Sequence, residues 1–285
     1  MTAADHAVPL LQTRDLVKTF PGVRALDGVD FELRRGEVHA LVGENGAGKS
    51  TLIHLLAGIY QPDGGSLELD GKRGSFPDAN SANRHGLSIV FQELSLADNL
   101  SIAENVFAHR QPVRFGDLVD WQALHSRTAD LLRLFDLDLD PRTIVKHLPP
   151  ALQQVVEVLK AVAREPRILI LDEPTSSLTA TETAHLFANI RRLKSAGTSF
   201  VYISHHLREV FELADRVTVL RDGRLVDTCP VAAHGRRASA HGRRASAVTE
   251  DDLIARTPCA LILKEDDLIL KEDDLILKED DLILK

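Results

Sequence analysis

"GENGAGKST", Gly43 to Thr51, matches the pattern G-x-x-x-x-G-K-[ST] and lies between the apolar run "GEVHALVG" and the amphipathic run "KSTLIHLLAG". Strand, glycine loop and helix in that order are the context the pattern requires. Backbone N–H groups of successive loop residues can then surround phosphates, and the helix start favours negative charge. Gly43, Gly46 and Gly48 allow close approach of the backbone. Lys49 can neutralise β- and γ-phosphate oxygens, and the Ser50 hydroxyl can ligate Mg²⁺. Glu44, Asn45, Ala47 and Thr51 complete the candidate nucleotide loop.

A second half of such a site stands 120 residues further on, in "ILILDEP", Ile168 to Pro174. The apolar run reads as a strand buried on both faces, which puts Asp172 at its carboxyl end, where open α/β sheets bind ligands. Asp172 can hold the metal directly or through water, and Glu173 can accept a proton from an attacking water. Two further polar residues follow apolar runs: Gln92 after "LSIVF" and His205 after "FVYIS". Each is a candidate to face a γ-phosphate, or an ordinary capping or surface residue.

Around these motifs the chain alternates strands and helices, which implies a mostly parallel sheet covered on both sides. Residues 9–42 and "SLELDG" read as strands without helices, so a small antiparallel layer is expected beside it. "VRALDGVDFEL" is read as two strands meeting in a turn at Asp27-Gly28. In "DWQALHSRTADLLRLFDL" a stripe of Trp121, Leu124, Thr128, Leu131 and Phe135 recurs at helical spacing behind Asp120, a candidate N-cap, and is expected to pack into the core. "TATE", Thr179 to Glu182, is a capping box. The fold class is α/β: a P-loop NTPase with an antiparallel β subdomain and a helical subdomain.

Composition bounds the function. Apolar residues make up 44% and charged residues 27% of the 285, the balance of a soluble globular chain. No apolar run approaches a membrane span, and no secretory leader is expected from "MTAADHAVPLLQTRDL". The net charge of −8 is concentrated at the end: residues 264–285 hold nine acids and four lysines. The remainder is nearly balanced, with no basic stripe for nucleic acid. Cys229 and Cys259 read as two independent thiols. Beyond residue 230 "HGRRASA" occurs twice in tandem and "KEDDLIL" three times. These copies look more like duplication than a folded domain, so 8–229 is the expected domain, with a helical insert at about 95–160 and 230–285 as a repetitive tail.

The order of parts resembles the ATP-binding cassette (ABC) family throughout residues 9–228. The wording of "FPGVRALDGVDFEL", "FQELSLADNLSIAENVF", "LDEPTSSLT" and "YISHHLREVFELADRVTVLRDG" is similar to its carbohydrate importers. The resemblance implies ATP and Mg²⁺, with Ser50, Gln92 and Asp172 at the metal and Lys49, Gln92, Glu173 and His205 in catalysis. It implies that Phe20 stacks on adenine, and that Ser177 to Thr179 cross to a second cassette in a homodimer or heterodimer. It further implies a separate membrane permease, reached around Gln92 and the helical insert, and a solute-binding protein acting through it. The protein would sit peripherally on the cytoplasmic face of the membrane. Sugar importers typically fuse two cassettes, whereas this chain contains one.

One stretch departs from the family. Where its members usually have Leu-Ser-Gly-Gly-Gln, this chain has "LPPALQQ", Leu148 to Gln154. Pro149 and Pro150 remove a hydroxyl and two N–H donors, leaving Gln153, Gln154 and the amides of Ala151 and Leu152 to meet the opposite nucleotide. Each lost bond to a charged group is worth about 1.5–3 kcal/mol. The expectation is an altered anion contact and slower hydrolysis. The alternative is a regulatory or structural cassette with little turnover.

Overall fold

The structure is a computed structural model that describes residues 8–74, 76–116 and 118–231. Its centre is a six-stranded sheet ordered β12-β11-β3-β10-β9-β6. Strands β3 (Val38–Val42), β6 (Leu87–Val90), β9 (Ile168–Asp172), β10 (Ser199–Ile203) and β11 (Arg216–Arg221) run parallel, and β12 (Arg224–Pro230) pairs antiparallel with β11. Every residue of β3 and β10 is buried. That is the burial of a sheet covered on both faces, and it explains why these runs show no polar alternation.

The two faces separate by strict alternation along the strands. Ile168, Ile170, Val201 and Ile203 pack with Leu52, Ile53 and Leu56 of α1 (Lys49–Leu56) and with the antiparallel layer. Leu169, Leu171, Phe200 and Tyr202 pack instead with α5 (Pro150–Val162) and α6 (Ala180–Ser195), through Val156, Leu159, Phe187 and Ile190. The antiparallel layer is a second sheet, ordered β2-β1-β4-β5, of β1 (Leu11–Phe20), β2 (Val23–Leu33), β4 (Gly64–Leu69) and β5 (Lys72–Gly74).

The expected turn at Asp27-Gly28 does not form. Strand β2 runs straight through it, and the reversal occurs at Pro21-Gly22, where Phe20 pairs with Val23. Gly28 is instead an extra residue in the ladder: Leu16 pairs with Val29 and Val17 with Asp27. Its φ of +72° is the conformation a bulge glycine supplies. The signal for the true turn is present in "FPGV", proline followed by a glycine with φ of +81°.

Residues 95–160 carry α3 (Ile102–Val106), α4 (Trp121–Leu134) and most of α5, together with a two-stranded hairpin of β7 (Val113–Arg114) and β8 (Leu118–Val119). Asp120 caps α4 through the Ala123 amide at 3.0 Å. Leu124, Thr128 and Phe135 of the expected stripe are buried, Leu131 is partly buried, and Leu132 joins the core beside them. Trp121 does not, being 51% exposed at the first position of the helix, where no neighbouring turn covers it. The capping box of Thr179 and Glu182 opens α6. Two short helices remain, α2 (Ala79–Arg84) and α7 (Leu207–Leu213).

Among the described residues no helix is long and apolar enough to cross a membrane. Cys229 is buried on β12. Cys259 and the repeats of the tail lie outside the described residues.

Candidate active site

The loop from Gly43 to Gly48 leaves the carboxyl end of β3 and enters α1, and two of its glycines, Gly43 and Gly48, are required by contact as well as by conformation. Gly43 has φ of +152°, and a Cβ there would sit 2.1 Å from the Leu220 carbonyl oxygen. Gly48 caps α1 with φ of +103°, and its Cβ would meet the Ala25 oxygen at 2.7 Å. Gly46 faces open space. The Lys49 ammonium donates to the carbonyls of Gly43 (2.5 Å) and Glu44 (2.9 Å), so its charge is held over the loop. Burial lowers the Lys49 pKa, opposed by the charges of Glu173, Asp172 and Glu44.

Asp172 ends β9 as planned by its sequence pattern, and Glu173 follows with φ of +46° and its N–H bonded to the Ile203 carbonyl at 3.0 Å. Burial, then the neighbouring Glu173 charge, push the Asp172 carboxyl up to about 6, with Lys49 acting the other way. His205, on the loop after β10, reaches the same place: its Nδ1 is 3.3 Å from Glu173 Oε1.

These segments bound a cleft of about 430 Å³, lined by Asn45, Gly46, Gly48, Lys49, Ser50, Thr51, Gln92, Asp172 and Glu173. Gly43, Glu44 and Ala47 shape the loop without lining the cleft. Phe20 also lies outside the lining, half-buried at the end of β1 with its ring edge-on to Tyr60 at 5.4 Å. The wall beside it is made by Val23, Arg24 and Ala25 of β2 and by Asp222 and Gly223 of the β11–β12 turn. Sequence reasoning missed these five. The turn is recognisable as "RDGR", but only its bond from the Gly223 amide to the Ala47 carbonyl (3.1 Å) brings it to the loop. A shallower hollow of about 540 Å³ adjoins the cleft, sharing Arg24 and Asp222. Its Arg24 and Arg224 are already engaged by Asp27, at 2.8 and 2.6 Å.

Gln92 is exposed, yet the segment behind it is firmly anchored to α5. The Ser95 hydroxyl donates to Glu157 Oε1 at 2.6 Å, and Lys160 Nζ donates to the Ser95 hydroxyl at 2.6 Å and its carbonyl at 3.0 Å. Glu157 is buried, so removing it strands Lys160 and Ser95 at the core margin. Glu157→Ala is expected to destabilise the fold by about 1–3 kcal/mol, the cost of leaving the donors around a buried carboxylate without it. Urea unfolding checks this, and a loss under about 1 kcal/mol contradicts it.

The start of α5 carries both prolines. Pro149 is the N-cap and Pro150 the first helical residue, with no side-chain cap. Gln154 points inward, 3% exposed, and its Nε2 finds no partner. The Gln153 amide donates to the Leu148 carbonyl at 2.9 Å. Gln153 and Gln154 stand four and five residues after the cap; the first is engaged with the Leu148 carbonyl and the second faces the core.

Comparisons with known proteins agree with one another. A family model described as "ABC transporter" matches residues 26–176. The chain is 52% identical over 218 residues to the ribose import ATP-binding protein RbsA 1 of Rubrobacter xylanophilus, covering 76% of this chain and 44% of that protein. It is 46% identical to the xylose import ATP-binding protein XylG of Thermoanaerobacter pseudethanolicus, covering 77% and 44%. The chain thus spans less than half the length of the curated relatives it matches. Its fold is similar to a nucleotide-free ATP-binding cassette from an ABC transporter, with a TM-score of 0.71 at 22% identity over 79% of this chain and 92% of that one. A dimeric cassette with bound ADP and Pi in a post-hydrolysis state gives 0.69 at 21% identity, covering 78% and 98%.

Proposed function

The chain belongs to the ABC transporter family, and from that premise we propose that residues 8–229 bind and hydrolyse ATP to power uptake of a sugar-like solute through a separate membrane permease. The observation that carries this is convergence. Lys49, Ser50, Gln92, Asp172 and Glu173 come from three distant segments and line one cleft, with His205 in contact with Glu173. The ribose and xylose importers among its relatives supply the solute class.

In this reading the triphosphate lies on the amides of residues 43–51, with Lys49 beside its terminal oxygens. Ser50, Gln92 and Asp172 offer hydroxyl, amide and carboxylate oxygens, a hard donor set that suits Mg²⁺. Burial raises the Asp172 pKa first and the Glu173 charge second, and a cation there would offset both by favouring the carboxylate. Bound there, Mg²⁺ supplies charge neutralisation to the β- and γ-oxygens. Glu173 takes the proton of the attacking water, the water oxygen bonds to the γ-phosphorus, and the bond to ADP breaks to leave ADP and Pi. His205, held at Glu173, faces the transferred group. Phe20, beside Val23 at the β1–β2 turn, packs on the adenine.

The remaining parts follow the family. A second cassette closes on the first through Ser177 to Thr179 and the start of α5. The permease docks around Gln92 and the helical insert, placing the protein peripherally at the cytoplasmic membrane face. A solute-binding protein acts through the permease. The test is ATPase activity of the purified chain against its concentration, with and without residues 230–285. Second-order dependence is expected; first-order activity argues against a dimer, and absence of any turnover against hydrolysis.

The prolines at the start of α5 favour a second reading, a nucleotide-binding subunit with little turnover. Installing Pro149→Ser, Pro150→Gly and Ala151→Gly together restores a hydroxyl and two amides. If the altered helix start limits hydrolysis, the rate rises about 10- to 100-fold, as one or two charge-assisted bonds allow. An unchanged rate in a verified dimer rejects that cause.

A further inference from the structure

Resting on the hydrolytic reading of the cleft, we propose that Glu209 is a positioning residue whose carboxylate ties the loop that carries Glu173 to the loop that carries His205. Three hydroxyls donate to one oxygen, Glu209 Oε2: Thr175 Oγ1 at 2.9 Å, Tyr202 OH at 2.6 Å and Ser204 Oγ at 2.8 Å. Thr175 lies two residues after Glu173, and Ser204 directly precedes His205. Glu209 itself stands in the first turn of α7. One carboxylate thus bridges the loops after β9 and β10 and the helix that follows.

The surroundings make this junction stiff. Thr175, Ser204 and Tyr202 are 7%, 2% and 0% exposed. In so dry a site hydrogen bonds to a charged acceptor are strong, and losing the acceptor leaves three buried hydroxyls to find others. Burial first, and then the bond to Glu209, hold the Tyr202 phenol far above its ordinary pKa, so it remains a donor. The Ser204 hydroxyl also accepts the His206 amide at 3.0 Å, which extends the restraint across His205. Tyr202 packs edge-on against Phe187 of α6 at 6.0 Å between ring centres, and so fixes the junction against the core.

The 3.3 Å approach of His205 to Glu173 therefore depends on two loops whose relative placement is set by a residue that touches neither side chain. Nothing in "HLREVFEL" distinguishes Glu209 from an exposed helix acid. Its part follows from the convergence of hydroxyls from the loop after β9, from β10 and from the loop after β10.

Hydrogen–deuterium exchange of the full chain without added nucleotide tests the restraint directly. In Glu209→Ala, peptides covering residues 173–178 and 203–206 are expected to exchange about tenfold faster, while those of β3 and α1 keep wild-type protection. Steady-state ATPase then shows kcat reduced about tenfold or more, with KM for ATP within about twofold, because misplacement of catalytic groups acts on the reaction and not on phosphate binding. Glu209→Gln keeps one carbonyl oxygen for the three donors and is expected to recover most of the protection and rate. If Glu209→Ala does not fold, Glu209→Gln and Tyr202→Phe carry the measurement, with a smaller increase at the same two loops. Exchange unchanged at either loop, or raised equally across the sheet, overturns the proposal. Because exchange is read without turnover, a wild-type chain that fails to hydrolyse ATP would reject the hydrolytic reading and leave the junction separately decided.

Discussion

Glu173→Gln is expected to leave ATP bound while hydrolysis falls by a factor of about 10² to 10⁴, the range a positioned general base contributes. The substitution keeps the shape of the side chain and its place after β9, but replaces the basic carboxylate with an amide too weakly basic to take the proton of water. Binding is expected to hold or tighten. Glu173 is the largest of the three charges that oppose the lowering of the Lys49 pKa, and it raises that of Asp172. Removing it takes one negative charge from a cleft proposed to receive a triphosphate. Fluorescent-nucleotide titration measures the first effect and phosphate release the second. Undiminished phosphate release contradicts the assignment of Glu173, and simultaneous loss of binding shows that its charge has a structural role instead.

Gly43→Ala is expected to abolish nucleotide binding at millimolar ATP, where Gly46→Ala weakens it only a few-fold. Both glycines have positive φ, +152° and +84°. Strain of about 1–3 kcal/mol therefore applies to each. They differ in space. A methyl at Gly43 would meet the Leu220 carbonyl at 2.1 Å, an overlap with the backbone of β11 that a rotamer change cannot relieve. A methyl at Gly46 meets nothing within 4 Å. The first change must displace the loop or the strand, which moves the amides off the phosphates. Calorimetric titration with ATP, alongside urea unfolding to confirm that each variant is folded, separates the two. Equal affinities for both variants would show that the contact with β11 does not shape the loop.

The contrast between these two glycines shows how far local pattern reaches. The motif "GENGAGKST" marks both as necessary and does not distinguish them. Gly43 touches a residue 177 positions away, because β11 is the parallel neighbour of β3. Similar limits apply elsewhere. The Thr179–Glu182 capping box and the Asp120 cap were legible, since their bonds span three residues. The bulge at Gly28 was misread as a turn, because a glycine of positive φ serves both and only the register of β1 against β2 decides. Gln153 and Gln154 were expected to face a partner nucleotide, and packing of α5 engages one with the Leu148 carbonyl and buries the other.

By itself the sequence determined the phosphate-type loop, the acids at the end of a doubly buried strand, the alternation that makes the sheet parallel, and the family to which the chain belongs. These are set by short-range dihedral preferences and by the period at which apolar side chains recur. Tertiary structure alone decided that Val23 to Ala25 and Asp222-Gly223 wall the cleft, and that Ser95 locks to α5. It alone decided that three hydroxyls from two separate segments meet on Glu209. Those contacts depend on strand order and on the facing of helices across the sheet, and neither is encoded within any window the length of a single element.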